Sequence, residues 1–569
     1  MFLLSLCARN SRLNPGSFTG GYEWSGSLSV RGFLVAGSAS GSEGLPLGRS
    51  LGRRVGSERD TSATEELALE QDTSLIDQRR QKLDKIREMG FQPYPYRFGR
   101  THTSSTVKRD FETLESSKTL ISLAGRMMSV RRHGRAGFGH IQDEAGRIQI
   151  YLRKDTVRER EFALYRLVDM GDIVGVTGTA FKTRTGEITV AVERFEILSK
   201  SLRPLPIVKE KIEADEHKIY DAFSDKEQRY RQRYVDLVLN PEVRETFRKR
   251  TRIISVIRRF LDERGFMEVE TPILQPIYGG ASARPFTTYH HALGLRLYLR
   301  ISNELYLKRL IVGGYEKVYE FSRDFRNEGM DRSHNPEFTL LEIYQAYTDY
   351  TDMMKLTEEM ISTVAAEVTG SMVTEYRGEK IDLTPPWPRV AMLDSIEEHT
   401  GINLRGVPED ELRTICRNLE VEVDGSVGAG KMIDGIFEKF VQNHLVQPTF
   451  IVDYPVETSP LAKRHRDDPT LTERFEPFIY GEEIGNAFSE LNDPMDQRAR
   501  FEDQMRLKKL GDEEAQILDE DFLRALEYGM PPTGGLGIGV DRVVMLLTNA
   551  ASIRDVIFFP QMRPEKVAK

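Results

Sequence analysis

Cysteine is nearly absent from the chain, because its 569 residues include only Cys7 and Cys416. Two cysteines so far apart form no C-x-x-C pair, which argues against a disulfide framework or a cysteine zinc site and fits a reducing compartment. A run of about 18 apolar residues is also missing. The sequence therefore predicts no membrane span and excludes an enzyme embedded in a membrane.

An excess of positive charge is missing as well, because 80 basic residues face 88 acidic ones and the formal net charge is −8. The charge of the whole protein therefore does not indicate a nucleic-acid-binding protein. Any contact with RNA must depend on local basic patches.

Residues 1–63 contain much Gly, Ser and Arg, few acids and no sustained apolar period, which predicts a disordered extension. Two interpretations stay open for this extension. It is either an organelle transit peptide or a nonessential segment, such as one produced by a misassigned start codon. A charged helical stretch follows from Thr64 to Met89.

Short β-branched segments separated by glycines occupy the region from about Leu120 to Leu198. Five such segments in about 80 residues predict a small Greek-key barrel of the OB type. We therefore expect a helix plus this barrel over residues 64–200. A charged, Pro-bearing linker is expected over residues 201–239.

The larger region, residues 240–569, mixes helical and strand patterns. Asn240 and Pro241 suit the start of a helix, and Gly265 suits its left-handed end. Strands then alternate with helices, and their order favours long-range antiparallel pairing. The predicted fold class is α+β.

The segment from Gly425 to Met432 nearly matches the phosphate-binding loop G-x-x-x-x-G-K-[ST]. Its last position fails, because the thioether of Met432 cannot bind Mg²⁺ as a hydroxyl does. We interpret the segment as an ordinary Gly-rich loop, so any ATP site must lie elsewhere.

A better candidate for chemistry is the segment Phe321–Thr339, in which two strand-like pieces flank a polar loop. The loop contains Arg326 and His334, and an arginine fork suits the bidentate capture of a carboxylate or a phosphate. Phe338 is placed to stack on a base. Composition alone also fits a solvated hairpin loop.

This segment resembles motif two of the class II aminoacyl-tRNA synthetases. Residues 265–272 resemble motif one, and the glycine-rich run 534–542 resembles motif three. The resemblance covers residues 70 to 565, and the motif sequences are most similar to those of the bacterial-type lysyl-tRNA synthetases. It implies an OB-fold barrel followed by a class II catalytic domain with an antiparallel sheet and flanking helices. One departure is visible at Asn303, where many relatives carry Pro.

The same resemblance implies a pocket for L-lysine. Carboxylates and a phenol can replace the hydration that the side-chain ammonium loses on entry, and Glu342, Glu490 and Tyr344 are suited to this. Gly280 and Glu304 would bind the α-ammonium. The complete predicted set is Gly280, Glu304, Arg326, Glu342, Tyr344, Asn486, Phe488 and Glu490.

For ATP, the resemblance implies Arg326 and Arg542 as catalytic residues, which neutralise charge while the lysine carboxylate attacks the α-phosphorus in line. The predicted ATP-binding residues are Arg326, Glu328, His334, Phe338, Glu483 and Arg542. Glu483 and Glu490 resemble the Mg²⁺ ligands of the family, and a carboxylate pair beside a triphosphate suits that cation.

The barrel is expected to bind the anticodon of tRNA(Lys). Cations follow phosphates, aromatic rings stack on bases and amides bind base edges. The predicted residues are Arg126, Phe138, His140 and Gln149. A homodimer through motif one is also expected. The similarity to bacterial-type sequences favours a location of the protein in the cytoplasm. A mitochondrion or plastid is the alternative if the extension is a transit peptide.

Three competing functions stay open at this point. A ligase that attaches lysine-type groups to an elongation factor has a similar pocket but no barrel. An aspartyl- or asparaginyl-type synthetase shares the architecture but not the acidic pocket. A catalytically dead scaffold or RNA-binding module would not need Arg326, Arg542 or Glu483.

Overall fold

The computed structural model describes residues 59–206, 209–213, 216–220, 223–422, 427–511 and 514–565. The chain divides into two compact units, Met1–Ser74 and Leu75–Lys569. Residues 1–58, which are most of the predicted disordered extension, lie outside the described residues. Residues 59–63 are helical, because helix α1 spans Arg59–Glu88. The predicted boundary at Thr64 is therefore too late, since no Gly or Pro interrupts the chain within α1.

The first domain of the larger unit is a closed barrel with short helices. Its helices are α2 (Ser104–Arg109), α3 (Phe111–Ser117) and α4 (Glu159–Leu167), and its strands are β1 (Ile121–His133), β2 (Ala136–Gln142), β3 (Arg147–Arg153), β4 (Ile173–Lys182) and β5 (Ile188–Ser199). The strands pair in the order β1-β2-β3-β5-β4. Alternate residues such as Ile148, Ile150 and Leu152 point into a separate core. The prediction of an OB-type barrel is confirmed.

The predicted linker, residues 201–239, is more structured than expected. It contains the hairpin strands β6 (Lys209–Glu213) and β7 (Glu216–Tyr220) and the helices α5 (Lys226–Arg231) and α6 (Arg233–Leu239). Asp225 caps α5, and a buried ion pair of 2.6 Å joins Arg233 to Asp236. Arg233 also donates to the carbonyl of Arg554, 2.8 Å away. Hydrogen bonds from the buried Arg233 therefore help to hold this segment to residues 554–558, and such contacts leave no apolar period in the sequence, which is why the pattern predicted a linker.

The catalytic domain contains ten helices and fourteen strands among the described residues. The helices are α7 (Pro241–Asp262), α8 (Glu304–Val312), α9 (Tyr350–Thr369), α10 (Met392–Thr400), α11 (Glu409–Asn418), α12 (Ala429–Phe440), α13 (Pro494–Lys509), α14 (Glu520–Glu527), α15 (Val540–Thr548) and α16 (Ile553–Val556). The strands are β8 (Met267–Glu268), β9 (Leu274–Gln275), β10 (Thr287–His290), β11 (Leu295–Leu299), β12 (Lys317–Phe325), β13 (Glu337–Ala346), β14 (Val373–Tyr376), β15 (Glu379–Asp382), β16 (Arg389–Ala391), β17 (Thr449–Val452), β18 (Arg474–Ile479), β19 (Glu482–Glu483), β20 (Gly485–Ser489) and β21 (Thr533–Gly539).

The main sheet of this domain runs β16-β17-β18-β20-β21-β13-β12-β8, with β19 paired to β18. Its pairs are antiparallel except for the parallel pairs β16–β17 and β12–β8 at its two edges. One face packs against α7, α9 and α15, with Leu341, Ile343 and Ile538 in the largest core. Because side chains alternate along a strand, Glu342 and Tyr344 face the opposite side. The predicted class of fold, α+β with an antiparallel sheet and flanking helices, is confirmed.

Helices α10, α11 and α12 form a further core together with Ile451 of β17 and Phe478 of β18. Gly428 precedes the first turn of α12, and Met432 is fully buried in this core. The first residues of the Gly-rich segment, 425 and 426, lie outside the described residues. A buried Met432 cannot approach a nucleotide, which agrees with an ordinary loop rather than a phosphate-binding one.

Candidate active site

A cavity of about 400 Å³ lies on the face of the main sheet opposite the largest core. The cavity is lined by every site residue that was predicted for this domain: Gly280, Glu304, Arg326, Glu328, His334, Phe338, Glu342, Tyr344, Glu483, Asn486, Phe488, Glu490 and Arg542. These residues come from separate strands and loops. The sheet topology therefore brings the predicted lysine pocket and the predicted ATP site into one cavity.

Glycines of β21 form the floor of the cavity. β21 lies between β13 and β20, so that Gly535 is opposite both Tyr344 and Phe488. A Cβ atom on Gly535 would lie 1.8 Å from Oε1 of Glu490 and 2.8 Å from a ring carbon of Tyr344. Gly535 therefore leaves the space that the carboxylate of Glu490 occupies.

This close approach predicts that Gly535→Ala displaces Glu490 and raises the KM for lysine. Overpacking typically costs about 1–3 kcal/mol, which corresponds to roughly 5- to 150-fold. The measurement is lysine-dependent ATP–pyrophosphate exchange. Gly99→Ala is the control, because Gly99 does not line the cavity and its Cβ would meet no atom within 4 Å. Equal effects of the two variants on the KM for lysine would contradict the assignment.

Glu342 lies at the end of the pocket and is buried. Ser302 donates a hydrogen bond of 2.8 Å to Oε1 of Glu342, and the Tyr344 hydroxyl donates one of 2.8 Å to Oε2. Burial, together with the charges of Glu304 and Asp324, raises the pKa of Glu342 to about 8. The hydrogen bonds from Ser302 and Tyr344 oppose this rise in the pKa.

Glu304 and Glu490 share a buried ammonium that the sequence prediction did not include. Nζ of Lys308 lies 2.5 Å from Oε1 of Glu304 and also contacts Oε2 of Glu490. Burial raises the pKa of both carboxyl groups, and Lys308 opposes that rise. Oε1 of Glu490 is buried and accepts no hydrogen bond from the described residues. One carboxylate oxygen is thus left for a ligand.

The other end of the cavity is basic. The guanidinium of Arg326 lies 5.1 Å from the centre of the Phe338 ring, and its buried Nε has no hydrogen-bond partner among the described residues. Arg542 Nη1 lies 3.3 Å from Oε2 of Glu483, and Arg542 Nη2 lies 3.4 Å from Nε2 of His334. Arginine forks beside an aromatic ring suit a nucleotide whose phosphates need cations.

One carboxylate connects the segments that resemble motifs two and three to α7, the helix before the segment that resembles motif one. Asp541 forms an ion pair of 2.5 Å with Arg250 on α7 and accepts a hydrogen bond of 2.8 Å from the backbone N–H of Thr339 on β13. Arg250 also donates to the hydroxyl of Thr339, 3.0 Å away. Polar contacts therefore hold α7, motif two and motif three in their relative positions.

Two further cavity residues, Arg474 and Glu476, were missed by the sequence analysis. Arg474 donates to Oδ1 of Asn486 at 2.9 Å and contacts the carboxylate of Glu476. Burial and the charge of Glu483 raise the pKa of Glu476 to about 7, against the opposing effect of Arg474. Glu476 precedes Glu483 by seven residues, the same spacing that separates Glu483 from Glu490. This repeated spacing was the signal that could have identified Glu476.

On the barrel, the structure brings three of the four predicted anticodon residues together. Phe138 packs against Tyr151 with ring centres 4.5 Å apart, and His140 is paired with Gln149 across β2 and β3. Glu187 contacts both His140 and Gln149. Its carboxylate accepts a hydrogen bond of 2.8 Å from Gln149 Nε2 and lies 2.9 Å from His140 Nε2.

Arg126 has a different environment from the other three residues. Its guanidinium donates a hydrogen bond of 2.8 Å to the carbonyl of Gly171, and burial lowers its pKa. This cation is therefore already engaged by the protein backbone. The side chain of Arg126 is partly buried. It is therefore less available to an RNA phosphate than the sequence analysis predicted.

The comparisons with known proteins define the class of the chain. Residues 225–563 match the family described as tRNA synthetases class II (D, K and N). Residues 121–198 match the OB-fold nucleic acid binding domain of the tRNA anticodon type. Together with the cavity on the antiparallel sheet, these matches define a class II aminoacyl-tRNA synthetase.

Individual relatives show which member of this class the chain resembles. The chain is 55% identical over 504 residues to a lysine–tRNA ligase of Thermoanaerobacter sp. (strain X514), a match that covers 88% of this chain and 97% of the relative. It is 56% identical over 491 residues to the lysine–tRNA ligase of Pelotomaculum thermopropionicum, covering 86% and 94% of the two chains. A Porphyromonas gingivalis lysine–tRNA ligase is 53% identical over 86% of each chain. The chain belongs to the lysine–tRNA ligase family of class II synthetases.

Proposed function

We propose that this chain activates L-lysine with ATP to form lysyl-adenylate and then transfers the lysyl group to tRNA(Lys). The observation that carries the proposal is the cavity itself. Buried acids at one end, Glu304, Glu342 and Glu490, face arginines at the other end, Arg326 and Arg542. A substrate with two ammonium groups and one carboxylate fits this distribution of charge when its carboxylate points toward the arginines.

The lysine pocket is assigned from these contacts. Glu342, Tyr344 and Glu490 bind the side-chain ammonium, because their oxygens replace its lost hydration. Gly280 and Glu304 bind the α-ammonium. Phe488 lies beside the aliphatic part, and Asn486 is held in place by Arg474.

In the activation step, the lysine carboxylate attacks the α-phosphorus of ATP and pyrophosphate leaves. The attacking oxygen is already an anion, so positioning and charge neutralisation replace a general base. Arg326 orients the carboxylate and the α-phosphate, since its Nε is buried and unpaired among the described residues. Arg542 and His334 bind the outer phosphates, and Glu328 and Phe338 hold the adenine.

A pair of carboxylates is suited to Mg²⁺, which prefers carboxylate and phosphate oxygens. Glu476 and Glu483 are close enough for the charge of Glu483 to raise the pKa of Glu476, a repulsion that a divalent cation would relieve. Glu490 was predicted as the second ligand, but its carboxylate contacts the buried Lys308 instead. We therefore assign the cation to Glu476 and Glu483. When bound, Mg²⁺ would neutralise charge on the triphosphate.

The pKa of Glu342 predicts that lysine binding releases a proton. The carboxyl group has a pKa of about 8 in the free enzyme, so it is mostly protonated below pH 8. The substrate ammonium favours the ionised form, and the proton must leave on binding. The Kd for lysine should therefore fall by up to about tenfold per pH unit between pH 6 and 8 and level off above pH 8.

Calorimetry in two buffers of different protonation enthalpy measures this release directly at pH 7. Wild-type protein should transfer protons to the buffer as lysine binds, from Glu342 and from the other buried acids whose pKa is raised, Glu304 and Glu490. Glu342→Gln should transfer clearly less. A Kd for lysine that is constant from pH 6 to 8 would show that Glu342 is not the group that meets the ammonium.

The barrel is proposed to bind the anticodon, with Phe138 stacking on a base and Gln149 binding a base edge. Glu187 joins this group through its contacts with His140 and Gln149. Phe138→Ala and Gln149→Ala should leave lysine-dependent ATP–pyrophosphate exchange unchanged, because that reaction occurs in the catalytic domain. Both should weaken tRNA charging, since the stacking of a base on an aromatic ring contributes about 1–3 kcal/mol.

The experiment compares exchange and charging in the same preparations at decreasing concentrations of tRNA. The charging defect should grow as tRNA is diluted, while Glu193→Ala, an exposed residue elsewhere on the barrel, should behave as wild type. A ligase for an elongation factor would charge no tRNA, and a dead scaffold would show neither reaction. Unaltered charging in both variants would refute the anticodon assignment.

We also propose a homodimer through α7 and the segment that follows it. Met267, Ile273 and Leu274 are exposed there, with relative exposures of 41%, 42% and 48%. Adjacent exposed apolar side chains are typical of a surface that another protein covers. The similarity to bacterial relatives supports a location in the cytoplasm. Every helix of the described part is too short or too polar to cross a membrane.

A further inference from the structure

Lys308 lies behind the acids of the lysine pocket rather than in its wall. It follows Glu304 by one turn of α8, which places both side chains on the same face of the helix. Its side chain is completely buried. Its Nζ lies 2.5 Å from Oε1 of Glu304, contacts Oε2 of Glu490 and lies 5.3 Å from the centre of the Phe488 ring. One ammonium therefore joins two acids that come from different elements of the fold.

The charges of the pocket balance only when Lys308 is included. Glu304, Glu342 and Glu490 supply three negative charges when ionised, and Lys308 supplies one positive charge. The remaining two negative charges equal the two ammonium groups of lysine. Without Lys308 the pocket would have one carboxylate too many, and a buried carboxylate without a partner takes up a proton.

The geometry also gives Lys308 a positioning role. Because it binds Oε1 of Glu304 and Oε2 of Glu490, it fixes the separation between these two carboxylates. Oε1 of Glu490 stays buried and without a hydrogen bond from the described residues. That oxygen is therefore held in place for a ligand on the cavity side, next to Gly535.

We propose that Lys308 is a positioning residue that determines specificity for a substrate with two ammonium groups. It removes one surplus negative charge and holds Glu304 and Glu490 at the separation that the α-ammonium and the side-chain ammonium require. The inference rests on the proposed lysine specificity of the same pocket. It differs from a purely structural ion pair, which would hold α8 to the sheet without affecting the recognition of lysine.

Two neutral variants, Lys308→Gln and Lys308→Met, test the proposal in the full-length protein. Each should raise the KM for lysine in pyrophosphate exchange by about 30-fold or more, because one member of a buried charge pair is lost. The KM for ATP should stay within threefold of wild type. Lys308→Arg keeps the positive charge, so its KM for lysine should be at least tenfold lower than that of the two neutral variants. Lys355→Gln, which removes an exposed lysine on α9, is the control.

The outcomes separate the alternatives. A KM for lysine near the wild-type value in a neutral variant overturns the proposal. Parallel increases in the KM for lysine and ATP with a lower melting temperature also overturn it, because they indicate a structural role. If neither neutral variant folds, the Lys308→Arg variant tests the proposal instead. A KM for lysine within tenfold of the wild-type value supports the proposal, and a larger increase in this KM overturns it. Absence of lysine-dependent exchange in the wild type would instead refute the proposed function.

Discussion

Replacement of Glu490 by glutamine is expected to remove most of the lysine activation. The change deletes a buried negative charge that faces the substrate ammonium and, at the same time, the partner of Lys308. Loss of one member of a buried charge pair typically costs about 2–5 kcal/mol, or roughly 30- to 4000-fold. The loss should appear in kcat/KM for lysine, measured by ATP–pyrophosphate exchange.

Glu342→Gln should show a smaller loss in the same assay. Its amide oxygen can still accept one of the two hydrogen bonds that Ser302 and Tyr344 donate to Glu342, and its NH2 group can donate to the other hydroxyl oxygen. Glu502→Gln, an exposed residue of α13, is the control and should keep wild-type kinetics. Exchange within threefold of wild type in either pocket variant would exclude these acids as the binding site for the ammonium.

Arg326→Lys is expected to lower exchange by about 10²–10³-fold, although the positive charge is kept. In the proposed function Arg326 binds the lysine carboxylate and the α-phosphate through its planar fork, and an ammonium cannot reproduce that geometry. Because charge develops between these two groups during the reaction, the loss should lie mainly in kcat rather than in the KM for lysine.

Arg524→Lys provides the control for this change, because Arg524 lies on the exposed surface of α14 and pairs only with Asp521 among the described residues. It should keep wild-type exchange. If Arg326→Lys raised the KM for ATP with kcat unaltered, Arg326 would bind ATP without acting in the transition state.

Much of the fold could be predicted because its patterns are local. The barrel strands alternate buried and exposed residues, and α7 begins at Pro241 as predicted, although the side chain of Asn240 makes no capping hydrogen bond. The segment 201–239 could not be predicted in the same way. Its helix α6 is held by the buried pair of Arg233 and Asp236, and such a pair has no apolar period that a sequence reveals.

That the candidate site residues of the catalytic domain line one cavity could be predicted because they lie in or beside distinctive motifs. Lys308 could not, since in the sequence it resembles any lysine four residues after a glutamate on a helix surface. Only the packing of α8 against the sheet shows that its side chain is buried beside Glu490. Glu476 and Arg474 were missed for a similar reason, because β18 and β20 place them at the cavity only when paired.

The central claim is that this pocket selects lysine. The most direct measurement is ATP–pyrophosphate exchange with wild-type protein and each of the twenty amino acids in turn, at equal concentrations. We expect exchange with lysine and at least ~10⁴-fold less with amino acids whose side chains are uncharged, because these would leave buried acids unpaired. Exchange with aspartate or asparagine instead of lysine, or equal exchange with lysine and uncharged amino acids, would contradict it.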